Sequence, residues 1–381
     1  MRRGKLTGLA VASTLLVAIG MLGCTEKTPG PAGKGTGSKE SATKGSAAKA
    51  PKPKPPKQKL DVAVRIADAD MEVVIQPAKL VAGKVLGDFA AELKKAKLPI
   101  PVDLGAKTPE QMAAESIGIE MKDLARVTIS ANTITQKVLA TLVATKDVDA
   151  QAVVAALSAS TKEKVVKRET HAGIDIYAPA QEQEAMLAFV DKRVALFGSI
   201  DELKKGIDTY KAGSMPPAKP EIAALLKEAA ADACIVVAMK ASPEMTAAAP
   251  AAGVPADLAQ ELDSVLFTMA AKDTFALQAK VTMKTIDSGE KLRGEATNAM
   301  EGAKAQFGPM FASPAMKPVM DAINGVKVGG AGKVLEASAS IGADVVQPLA
   351  ALASMFMGAG MAPPGGAMPP GGGMMPPGAG N

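Results

Sequence analysis

Residues 25–59 contain no Val, Ile, Leu, Met or Phe, whereas from Leu60 onward such side chains are abundant. That step in texture bounds what can fold. A stretch of Gly, Ser, Thr, Ala, Lys and Pro cannot bury enough apolar surface to offset its conformational entropy. Residues 358–381, almost only Gly, Pro, Ala and Met, are low-complexity in the same way. The part able to build a core is therefore 60–357, long enough for one large domain or two ordinary ones.

Within that body, short β-rich runs alternate with helical patterns. MEVVIQ (71–76) predicts a strand, and apolar spacing over 78–96 predicts a helix closed by Pro99 and Pro101. RVTISA (126–131) and KVLATLVATK (137–146) are rich in β-branched residues. VKRETHAGIDIYAP (166–179) predicts a hairpin turning near His171–Gly173, and MLAFVDKRVALFGS (186–199) a second turning at Asp191–Lys192. Ser199 and Glu202 have the spacing of a capping box for a helix through Tyr210. Hairpins followed by helices predict an α+β fold, with antiparallel sheets carrying helices on one face.

The second half echoes the first. ACIVVAMK (233–240) parallels the strand at 71–76, with Asp232 and Asp70 just before each. Leu139, Val143, Lys146, Val148 and Asp149 align with Leu277, Val281, Lys284, Ile286 and Asp287, and both Asp residues are candidate helix caps. Val194, Ser199 and Ile200 align with Leu335, Ser340 and Ile341. Three matches in the same order predict two similar tandem units, 60–215 and 216–357.

The net charge of +5 is unevenly placed: residues 1–24 carry +3, residues 25–59 carry +7 and the body carries −5. A mildly acidic body argues against a nucleic-acid groove. So does the shortage of stacking rings: aromatic residues are 3%, Trp is absent, and Tyr177 and Tyr210 are the two tyrosines.

Residues 1–24, MRRGKLTGLAVASTLLVAIGMLGC, place Arg2, Arg3 and Lys5 before an apolar run from Leu6 to Leu22, and then Gly23 and Cys24. This is the order of a secretory signal, and the run is short for a permanent span. Met21, Leu22, Gly23 and Cys24 resemble the lipobox of bacterial lipoproteins, with Met21 where family members usually have Leu. The resemblance covers these 24 residues alone. It implies cleavage between Gly23 and Cys24, a diacylglyceryl group on the Cys24 sulfur, and acylation of the new amino group by a chain such as palmitate. Thr25, rather than Asp, follows the cysteine, which implies the outer membrane where a cell has two. The segment from 24 to 59 then acts as a tether. Treated as flexible chain, 25–59 reaches roughly 30–35 Å, and its lysines could meet anionic envelope polymers.

The remaining chemistry is sparse. His171, the sole histidine, lies between Glu169 and Asp175 and reads as a solvated turn residue rather than a metal ligand. Cys234 sits in an apolar strand and reads as an inert packing thiol. Met355, Met357, Met361, Met368, Met374 and Met375 could suit Cu(I), yet no His or Cys joins them. GKGTGS (33–38) lacks phosphate-loop spacing, and VGGAGKV (328–334) has Val334 after Lys333 and reads as a hairpin turn. No catalytic residue, cofactor or metal is assigned. The expectation is a non-enzymatic envelope lipoprotein with a binding or structural role, with an apolar-ligand carrier as one form of it. The alternative is a hydrolase of envelope polymers using two carboxylates.

Overall fold

The computed structural model describes residues 63–96, 117–180, 186–252, 254–308 and 313–351. Twelve strands form one continuous antiparallel sheet. In chain order they are β1 (Met71–Ile75), β2 (Leu124–Asn132), β3 (Lys137–Ala144), β4 (Val165–His171), β5 (Ile174–Pro179), β6 (Met186–Asp191), β7 (Val194–Gly198), β8 (Ile235–Lys240), β9 (Leu262–Ala271), β10 (Phe275–Met283), β11 (Lys327–Gly329) and β12 (Val334–Ile341). Their order in space is β11-β12-β10-β9-β8-β1-β2-β3-β7-β6-β5-β4. The antiparallel sheet with helices packed on it is the α+β class read from the sequence.

The helices are α1 (Pro77–Ala82), α2 (Lys84–Ala96), α3 (Ala150–Thr161), α4 (Ile200–Ala212), α5 (Pro220–Glu228), α6 (Pro243–Ala248), α7 (Ala256–Gln260), α8 (Ile286–Phe307) and α9 (Lys317–Asn324). None of the described helices is long and apolar enough to cross a membrane. The single helix expected over 78–96 is two, broken at Gly83, whose backbone is extended (φ −72°, ψ 128°) and lies against the Ala271 carbonyl with no room for a Cβ.

Helices cover both faces of the sheet, not one. On the front, Val153 of α3 packs with Ile75, Val127 and Leu142. On the back, Leu203 and Ile207 of α4 pack with Ile176, Ala188 and Leu196, while Ile222 and Leu225 of α5 pack with Val74, Val236 and Leu266. The reason is in the strands. Residues 127–132 of β2 and 139–144 of β3 are buried without alternation, so neither side can be left to water.

Pairing is regular enough that one cross-strand row runs through all twelve strands on the back face. It begins at Lys327, Ser338, Gln278 and Thr268, passes through Val236, Val74, Thr128 and Thr141, and ends at Leu196, Ala188, Ile176 and Glu169. The sequence echo appears as strand order. Going outward from the β1–β8 pair, β1-β2-β3-β7-β6 on one side matches β8-β9-β10-β12-β11 on the other. The two halves therefore share a sheet.

The residue alignment read from the sequence slips by one, however. Leu139 faces the back with Leu196, while Leu277 stands in register with Met269, Ile235 and Ile75 on the front. A one-residue slip changes the face of every side chain, and Ala-rich strands tolerate it in an alignment. The caps differ too. The Asp149 carboxylate accepts from the Gln151 and Ala152 N–H groups, but α8 is capped by the Thr285 hydroxyl rather than by Asp287. Ser199 occupies the N-cap of α4 without a capping bond from its side chain, and the Glu202 carboxylate, the other half of the expected capping box, accepts from Lys205 at 3.0 Å instead.

Candidate functional site

Where the chain enters the described fold, Ala63–Ala69 crosses the back of the sheet as a strap. Its backbone makes side-chain bonds in place of a ladder. The Val64 N–H donates to Thr141 Oγ1, and that hydroxyl donates back to the Val64 carbonyl, both at 3.1 Å. The Ile66 N–H donates to Ser130 Oγ at 3.1 Å, and Asn132 Nδ2 donates to the Asp68 carbonyl at 2.8 Å. Arg65 lies over β1 and binds both carboxylate oxygens of Glu72. These are the reasons that Glu72, Ser130 and Thr141 can sit buried in a sheet centre: each polar group is matched by the strap. Beside it, Asp70 accepts from the Thr133 N–H (2.9 Å) and hydroxyl (2.7 Å), and Thr133 meets Ser242 at 2.8 Å. Ser242 in turn caps α6 by accepting from Met245 N–H. This Asp–Thr–Ser chain joins the two halves, and its hydroxyls are spent on structure.

The open site lies at the other end of the same face. Past α5 the back of the sheet carries no helix among the described residues, and its row turns polar at Thr268, Gln278, Ser338 and Lys327. A groove of about 410 Å³ forms there, walled by Glu228 at the end of α5 and by edge strand β11. Lys280 and Glu336 are direct cross-strand neighbours on its floor, but Lys280 gives its ammonium to Glu228 at 2.5 Å. The floor also holds Leu266, Thr268, Gln278 and Ser338. A surface of this kind orients polar molecules through charge and hydrogen bonds. It does not suit an apolar ligand. Glu228 and Glu336 are the carboxylates of the groove, and Glu228 is paired with Lys280.

The residues singled out from sequence fall elsewhere. Gly23, Cys24, the tether and the methionines from Met355 onward lie outside the described residues. His171 ends β4 and pairs through Nε2 with Asp208 Oδ1 of α4 at 2.8 Å, while Glu169 pairs with Lys204 and Asp175 with Lys167. The three are dispersed into separate pairs: those of His171 and Glu169 clamp the hairpin to α4, and the Asp175–Lys167 pair ties the two strands of the hairpin together. No group of three or more His, Cys, Asp or Glu among the described residues could hold a metal. Cys234 is buried beside Met121, Leu80 and Val85, and its Sγ–H donates to the Met269 carbonyl at 3.2 Å. Burial pushes its thiol above the ordinary range.

Lys333 lies in the turn between β11 and β12, not at a helix start, so the glycines of 328–334 serve a hairpin as expected. That turn is fixed on α8: Arg293 Nη1 donates to the Gly332 and Val334 carbonyls, both at 2.8 Å. Sequence reasoning missed Glu228, Lys280, Lys327 and Glu336. The available signal was polar side chains at alternate strand positions, Gln278, Lys280 and Thr282 in one strand and Glu336, Ser338 and Ser340 in another, in a body otherwise rich in Ala and Val.

No family model matches the chain, and no curated protein matches it. The solved structures that resemble it include three crystal forms of TP0453. Form III is 11% identical, spans 78% of this chain and 100% of that one, and has a TM-score of 0.46. Form IV is 10% identical over 77% and 98% with a TM-score of 0.42, and form I is 10% identical over 75% and 94% with 0.38. The likeness is a loose one in chain course and carries nothing about function.

Proposed function

We propose that this chain is an exported lipoprotein of the bacterial envelope, held by lipid on Cys24, whose sheet body has a binding or structural rather than a catalytic role. The observation that carries this reading is the order of residues 1–59. Three positive charges precede an apolar run, the run ends at Gly23 and Cys24, and a spacer without large apolar side chains follows. Diacylglyceryl plus an amide-linked chain gives durable anchoring where one chain would be marginal.

The entry of the chain into the body supports the same reading. A lipid anchor transmits any pull on the body through the spacer to residue 63 and beyond. At that point the strap is held by Thr141, Ser130, Asn132 and the Arg65–Glu72 pair, across three adjacent strands. The spacer lysines suit contact with anionic headgroups or wall polymers, and Thr25 suits the outer membrane where two membranes exist.

The test is intact mass of the mature chain isolated from a bacterial envelope, with detergent partitioning alongside. The expected product begins at Cys24, carries acyl mass and follows the detergent phase, and Cys24→Ala abolishes all three. A mature chain that starts elsewhere, or a wild-type chain without acyl mass, overturns the proposal.

A further inference from the structure

We propose that the groove between α5 and edge strand β11 binds short zwitterionic peptides, with Lys327 taking the ligand's carboxylate and Glu336 its ammonium. The β11–β12 register places Lys327 opposite Ser338 and Gly329 opposite Glu336. The two charged residues are therefore diagonal neighbours on one face, about 7–8 Å apart at the backbone. An extended peptide advances about 3.3 Å per residue, so the two ends of a di- or tripeptide match that spacing.

Three features leave these charges available. Glu336 faces Lys280 directly across the ladder, but Lys280 is drawn away to Glu228 at 2.5 Å. Lys327 and Glu336 are both exposed, and neither forms an ion pair with a described residue. Gly329, opposite Glu336, has no side chain to fill the rim. Between the two charges, Gln278 and Ser338 offer donors and acceptors to peptide amides, and Thr268 lies behind them. The volume, about 410 Å³, is within the range of small-ligand sites. The back face elsewhere is covered by α4, the strap and α5, which leaves this stretch of it open.

The site belongs to the body, so it stands apart from the anchoring of Cys24. The experiment titrates the full chain, in detergent micelles, with trialanine and with N-acetyl-trialanine amide, by calorimetry. Trialanine is expected to bind saturably. Lys327→Ala or Glu336→Ala should each weaken binding by about tenfold, the loss of one charged contact, and capping both ends, which removes both contacts, by about a hundredfold. Cys24→Ala, which tests the anchor, should bind trialanine as the wild type does. Absence of saturable binding by concentrations on the order of 10 mM, or equal binding of free and capped peptide, overturns the proposal.

Discussion

Arg65 closes on Glu72 like a fork: Nε lies 2.8 Å from Oε2 and Nη2 lies 2.9 Å from Oε1, with the carboxylate 1% exposed. A buried carboxylate held this way is costly to strip of its partner, more than the pair is worth against apolar replacements. Arg65→Ala should therefore lower stability by about 3 kcal/mol in urea denaturation. The double change Arg65→Met with Glu72→Leu should lie much closer to wild type. A single variant no worse than the double would show that the pair is solvated in solution and that the strap is not seated as described.

Gly289 and Gly294 stand on the same helix and should respond oppositely to Ala. A Cβ at Gly289 would overlap the Gly332 carbonyl and the Lys333 backbone, where the β11–β12 turn sits on α8. A Cβ at Gly294 meets nothing within 4 Å. Gly289→Ala should cost about 1–3 kcal/mol through a forced shift of the turn. Gly294→Ala should stabilise by about 0.5–1 kcal/mol through helix propensity. Thermal melts of the two variants check the contrast, and a neutral Gly289→Ala would mean that the turn does not rest on the helix.

Cys234 combines three obstacles to reaction: it is buried, its sulfur is hydrogen-bonded, and burial raises the pH at which its thiolate forms. The thiolate is the reactive species. Iodoacetamide at mildly alkaline pH should leave the thiol of the native Cys24→Ala chain unmodified and label it fully in denaturant, as read by mass. Rapid labelling of the native chain would contradict the packing of α1 and α2 against β8.

What could be read from the sequence followed from local rules. Hairpin turns at Ala172–Gly173 and near Lys192 are set by neighbours in the chain, so both hairpins and the α+β class were legible. The strap was not, because Val64 and Ile66 make no repeating pattern. Their partners, Thr141 and Ser130, are 77 and 64 residues away. The polar residues at 72, 130 and 141 were a visible anomaly inside apolar strands, yet only the fold shows what they match. The groove was hidden for a related reason. Lys280, Glu336 and Glu228 read as ordinary solvated charges until pairing across β10 and β12 sets two of them side by side and α5 removes one.

Tyr210 gives the pH dependence most open to direct measurement. Its phenol, half-buried near the end of α4, is held above the ordinary tyrosine range, first by burial, then by the negative charge of Asp191 and the hydrogen bond to it. A raised value in the folded state means that the native chain keeps this proton when the unfolded chain has begun to lose it. The contribution to stability is thus complete below about pH 10 and is lost as pH rises through the folded value. With Trp absent and Tyr177 the other tyrosine, absorbance at 295 nm follows the two phenols without interference. The native chain should show a late phase that disappears in urea and in Tyr210→Phe. Asp191→Asn should bring that phase only part of the way down, because burial is the larger cause. If Tyr210→Phe removed the early phase and left the late one, the seating of α4 against β6 would be wrong, and with it the cover over this end of the back face.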